Sequence, residues 1–98
     1  MGEISVVMGR TYEGLLKWLA EHDLAIPEME EISEIVVDII KAYKSNDTSK
    51  REELIKRILK ITNCPPELAT ETVRQFARLA STYMTLLDII LGDQHALL

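Results

Sequence analysis

The chain is poor in the residues that staple or punctuate small folds. Its one cysteine, Cys64, excludes an internal disulfide framework and suits a reducing compartment. Four glycines and three prolines are too few for the many tight turns of an all-β fold. Its two histidines, His22 and His95, lie far apart, and neither has a second ligand at metal-like spacing. Glu21, His22 and Asp23 are consecutive, so on a helix they diverge rather than chelate. Glycine-rich phosphate loops, Gly-x-Ser-x-Gly elbows and Cys-x-x-Cys pairs are missing. Cys64 adjoins a helix start, which can activate a thiol, but with no histidine nearby in sequence it reads as a packed or capping residue. No catalytic residue, cofactor or metal site is expected, and an enzyme is the least favoured class.

Long apolar runs are also missing. The densest, Tyr83 to Leu91, contains Asp88 and falls well short of the roughly 20 residues that span a bilayer. The first residues do not follow the basic, apolar, small-residue order of a signal peptide. A cytoplasmic protein with no membrane role is the expectation. Asn and Gln together number only four while Ile, Leu, Glu and Lys are plentiful, a weakly thermophile-like bias.

What is present is a globular, helix-forming composition. The 98 residues, 47% hydrophobic and 28% charged, suit one domain, 1–98, with one core. The net charge of −5 is uneven, with ten acids against four bases up to residue 47 and six against seven beyond it. An acidic first half argues against a nucleic-acid coat as the default; the basic excess of the second half keeps the question open.

The spacing of apolar residues predicts four helices, at about 4–22, 27–44, 49–62 and 65–91, with a tail at 93–98. In the first, Ile4, Met8, Tyr12, Leu15, Leu16 and Leu19 share a face, Thr11 is a possible late cap, and Trp18 covers the rim. Pro27 is expected at the first position of the second helix, with Leu24 and Ile26 tucked inward. The inner stripe there is Met29, Ile32, Val36, Ile39, Ile40 and Tyr43, and clustered acids at its start and lysines at its end complement the dipole. Ser49 and Glu52 have the spacing of a capping box opening the third helix, whose inner residues include Leu54, Ile55 and Ile58. Pro65 and Pro66 stop that helix and open the last. In the last, Ala69, Val73, Phe76, Ala80, Tyr83, Leu87 and Ile90 form the central stripe, widened by Leu68, Leu79 and Leu86 on one flank and by Ala77, Met84 and Leu91 on the other. Gly92 is its expected cap. Short connections favour an all-α, single-domain antiparallel bundle of four helices with the C-terminal helix longest; an orthogonal array around that helix is the alternative.

Two surface features bear on function. Lys50, Arg51, Lys56, Arg57 and Lys60 crowd the third helix, and Lys56, Arg57 and Lys60 form a candidate anion or nucleic-acid patch. The competing explanation is an outer face that pairs with the acidic second helix. Along the last helix, Leu79 and Leu86 on the flank and Ile89 on the far side form a candidate self-association surface. The favoured function is a small non-catalytic interaction or assembly subunit, self-associating through the C-terminal helix or binding another protein. The alternative is a nucleic-acid-associated accessory protein using the basic third helix.

Overall fold

Where each of the first three helices stops is decided by one residue that takes the left-handed conformation. Asp23, Asn46 and Asn63 all have φ of 54–55°, a region that Asn and Asp enter more easily than most residues because their short polar side chains bond locally. At each, the following amide reaches back to the helix: Leu24 to the carbonyl of Leu19, Asp47 to Ala42 and Cys64 to Leu59, at 2.8, 3.4 and 2.9 Å. These are Schellman-type closures made without glycine. In the computed structural model, which describes the backbone of residues 2–91 and the side chains of residues 9–90, the helices are α1 (Gly2–Glu21), α2 (Met29–Ser45), α3 (Thr48–Ile61) and α4 (Ala69–Leu91). The last is the longest, at 23 residues, and a single 3-10 turn, Pro66–Leu68, leads into it. The expectations for Ile4, Met8, Leu91, Gly92, the tail and His95 lie outside the described side chains.

The helix starts differ from those predicted. Thr11 does not cap α1, since it lies inside the helix and bonds sideways to Thr82. Pro27 is not helical; it is buried in an extended connection, and α2 begins after Glu28. Asp47, not Ser49, caps α3, its carboxylate accepting from the Lys50 amide at 3.1 Å. The reason is geometric: Asn46 is left-handed and Thr48 is already helical, which leaves Asp47 as the one extended residue that can cap.

Packing joins the helices as two antiparallel pairs. Along α1 and α4, Thr11 faces Thr82 and Trp18 faces Thr72, so the chains run in opposite senses. Along α2 and α3, Arg57 reaches both Glu34 and Asp38 across the two-residue turn. Every other helix packs on α4, whereas among the described residues no Cα of α1 comes within 8 Å of α2 or α3. An extended crossing joins α1 to α2, anchored where the Ala25 amide donates to the Thr62 carbonyl at 2.9 Å. One core results, with Leu15 and Leu19 of α1, Ile32, Ile35 and Val36 of α2, Ile58 of α3, and Phe76, Leu79 and Ala80 of α4. The architecture is an all-α bundle of four helices, and no strand occurs among the described residues. No helix among them is long and apolar enough to cross a membrane.

The buried faces are rotated from those predicted. On α4 the buried row is Thr72, Phe76, Leu79, Ala80 and Leu86, while Tyr83 is 38% exposed and Ile90 lies open. Threonines explain the shift. Thr72 and Thr82 have hydroxyls that find partners on α1 and side chains small enough for close approach, so α1 covers the flank that carries Leu79 and Leu86. On α2 the buried row is Ile32, Ile35, Val36 and Ala42, leaving Met29 and Tyr43 largely exposed. Ile55 of α3 and Ile26 of the connection are exposed as well, whereas Leu24 is buried as expected.

Candidate functional site

Three places on this scaffold collect chemistry-bearing side chains. The first is a polar seam where the end of α1 meets the start of α4. Trp18 Nε1 donates to Thr72 Oγ1 at 2.9 Å, and Thr72 lies 3.3 Å from Cys64 Sγ, whose thiol donates to the Pro65 carbonyl at 3.3 Å. Because the thiol proton goes to Pro65, the sulfur is left to accept the hydroxyl proton of Thr72, and each polar atom in the seam has a role. The His22 ring stacks on Trp18 with centroids 3.8 Å apart, and its Nδ1 meets the Trp18 carbonyl at 3.0 Å. Trp18 thus covers the rim of the core, as expected, and gains a buried hydroxyl partner that sequence reasoning missed. The seam ties α1 to α4. Among the described residues no group of three or more His, Cys, Asp or Glu is placed to hold a metal ion.

The second place is the basic third helix. Arg57 lies between two carboxylates of α2, with Nη1 at 3.1 Å from Asp38 Oδ2 and Nη2 at 3.3 Å from Glu34 Oε2. Arg51 bonds to Asn46 Oδ1 at 2.8 Å. Lys56 and Lys60 are exposed one turn apart. The structure therefore divides the predicted patch. Its lysines face solvent, but the arginine, the one member with bidentate geometry for phosphate, is turned toward α2. A depression of about 250 Å³ beside it mixes both signs, with Asp38 and Glu53 opposite Lys41 and Lys50.

The third place is a groove between α1 and α2 whose floor is α4. It encloses about 400 Å³ and is lined by Gly9 and Tyr12 of α1, by Met29, Ser33 and Val37 of α2, and by Leu79 and Tyr83 of α4. The groove follows from the packing already described: α1 and α2 each dock on α4 with no Cα of one within 8 Å of the other among the described residues, so a channel stays open between them. Met29, Ser33 and Val37 recur every fourth residue, which places them in one row along the α2 wall. Met29 at 63% and Val37 at 42% exposed are presented to solvent, together with Tyr83. A smaller apolar depression of about 220 Å³ lies on the other side of α2, between Tyr43, Ile55 and Ala77.

The candidate self-association residues fare unequally. Leu79 and Leu86 are 4% and 7% exposed, so their own chain covers most of both, although Leu79 reaches the floor of the groove. Ile89 is 64% exposed and lies two turns beyond Thr82 on the row that Thr82 presents to α1. The groove residues were the ones missed. Met29 and Tyr83 look like core positions by period alone; Met29 opens α2, and Tyr83 lies in the half of α4 where cover from α2 runs out. Compared with known proteins, the chain matches no family model, no curated protein and no solved structure.

Proposed function

We propose that the protein is a small non-catalytic interaction module, an assembly subunit that takes an apolar helix face of a partner into the groove between α1, α2 and α4. The observation that carries this reading is the exposure of Met29, Val37 and Tyr83 around one groove after the chain has formed its core. Fully burying such a side chain is worth about 1.5–3 kcal/mol, so three partly exposed ones supply a useful share of a docking energy. The partner is a second copy or another protein. Self-association through the C-terminal helix rests on Ile89 and Ile90 with Tyr83, since Leu79 and Leu86 are already buried. Cys64, a free thiol, fits a cytoplasmic setting. The nucleic-acid reading keeps Lys56 and Lys60, but the pairing of Arg57 with Glu34 and Asp38 weighs against it.

Two double variants test the reading. Val37→Asp with Tyr83→Asp should keep the helical signal and abolish assembly, measured by sedimentation and by co-purification from the native host. Lys56→Glu with Lys60→Glu should leave assembly intact. The reading fails if assembly survives the first pair, or if the chain is retained on DNA or RNA and only the lysine pair releases it.

A further inference from the structure

The groove has a shape, a charge pattern and a gap in one wall, and together these specify what fits it. Along α2 the row Met29, Ser33, Val37 covers about 12 Å, more than two turns of a docked helix at 1.5 Å per residue. Tyr83 on the floor is followed two turns later by Ile90 on the same α4 face, also exposed, so the apolar track continues past the start of α2. An amphipathic helix laid along this track would bury its apolar stripe against Met29, Val37, Tyr83 and Ile90. Methionine and tyrosine suit such a surface, the first by adapting its shape and the second by offering a large apolar face with a polar tip.

Around the end of the groove marked by Gly9 and Met29, exposed acids outnumber exposed bases, the base there being Arg10 beside Gly9. Glu28 and Glu30 flank Met29 and both are exposed; Glu13 stands one turn from Gly9 on α1 and is exposed too. Glu34 lies beside Ser33, where both line a shallow depression that adjoins the groove and ends at Lys41. Two copies joined groove to groove would set these carboxylates against their own images, since a two-fold contact uses one patch twice, and each chain already carries a net charge of −5. A partner bearing lysine or arginine along the edges of its apolar stripe would meet opposite charge instead.

Gly9 is the gap. A Cβ built on it would have no heavy atom within 4 Å, so packing inside the chain does not demand glycine there. Inside α1 that glycine still costs about 1 kcal/mol relative to alanine. What the missing side chain opens is the groove wall, where a partner can approach the α1 backbone closely.

From these observations we infer that the groove binds a basic amphipathic helix of another protein. This rests on the groove being the working surface of an interaction module, and it names the partner class. The partner's apolar stripe lies on Met29, Val37 and Tyr83, and its cationic edge faces Glu13, Glu28 and Glu30.

The probe is a synthetic amphipathic helix of leucine and lysine, about 18 residues or five turns long, with a leucine–glutamate peptide of the same apolar pattern beside it. Calorimetric titration should show the lysine peptide binding at least about tenfold more tightly than the glutamate one. Gly9→Leu, which fills the gap with a good helix former, should abolish binding while the thermal midpoint stays level or rises. Glu28→Lys with Glu30→Lys should erase the preference for the lysine peptide. Glu52→Lys with Glu53→Lys, the same charge change placed on α3, should leave that preference in place. Equal binding of the two peptides, or a preference lost as readily through the α3 pair, would overturn the inference, as would no binding at all. If the wild type instead sediments as a dimer that Gly9→Leu dissociates, the occupant is a second copy; the basic-helix inference then falls and the interaction-module reading stands. If Gly9→Leu alters neither peptide binding nor any assembly, both fall.

Discussion

The two halves of α4 both carry large apolar residues at helical spacing and end in different surroundings. In the first half Thr72, Phe76, Leu79 and Ala80 are buried, even though one of them is polar. In the second half Tyr83, Ile89 and Ile90 are exposed, although all are large and apolar and Leu86 among them is not. Neighbours make the difference. Around Phe76 the other three helices converge, each packed on α4. At Tyr83 the cover from α2 runs out, because α2 starts at Met29 and both residues line the same groove. An apolar residue is buried when a neighbour reaches it, and hydropathy alone does not say whether one does. The polar counterpart is equally instructive: Thr72 is fully buried because Trp18 and Cys64 supply its hydrogen bonds.

This contrast can be broken most forcefully at Phe76, which is 0% exposed. Phe76→Ala should cost about 3–5 kcal/mol, enough to unfold a domain of ordinary stability. Thermal or denaturant melting with little loss would mean that the convergence point lies elsewhere. A middle-sized effect is expected at Thr72→Val, which keeps the volume but removes the acceptor of the Trp18 indole and the donor to Cys64. A loss of about 1–3 kcal/mol, with a shift in tryptophan fluorescence, is the expected outcome; an unchanged midpoint would show the seam to be dispensable. The smallest effect belongs to the far end. Ile89→Ser with Ile90→Ser should change the stability of the isolated chain by no more than about 0.5 kcal/mol for each residue. A larger loss measured at high dilution would show that the second half of α4 is covered in solution after all.

Much of the fold was legible before the structure, and the misses have specific causes. The apolar period marked all four helices because each has a face to bury. The ends of the helices were partly misread: the prolines at 65 and 66 drew attention, but Asn63 had already closed α3, and Asp47 rather than Ser49 capped its start. Asn and Asp do this work through local backbone geometry, which residue type only suggests. The basic patch was half legible. Its lysines are free to solvent, while Arg57 proved to be the partner of the acidic second helix. Of the candidate self-association residues, Leu79 and Leu86 are 4% and 7% exposed, and several of the exposed apolar side chains border a groove whose walls come from helices far apart in sequence.

By itself the sequence determined that this protein is four helices in a given order with the longest last, because periodicity, the three left-handed Asx closures and the proline pair act within a few residues of themselves. Only the tertiary structure decided how far each helix is turned about its own axis and where its cover ends. A stripe that spans half a helix's circumference can be centred on any of several rows at similar hydrophobic gain. The choice falls to threonine hydroxyls that find partners on α1, to the arginine held by α2, and to the lengths of the neighbouring helices. Those contacts join residues that lie about 20 to 70 positions apart, so no local pattern could announce them.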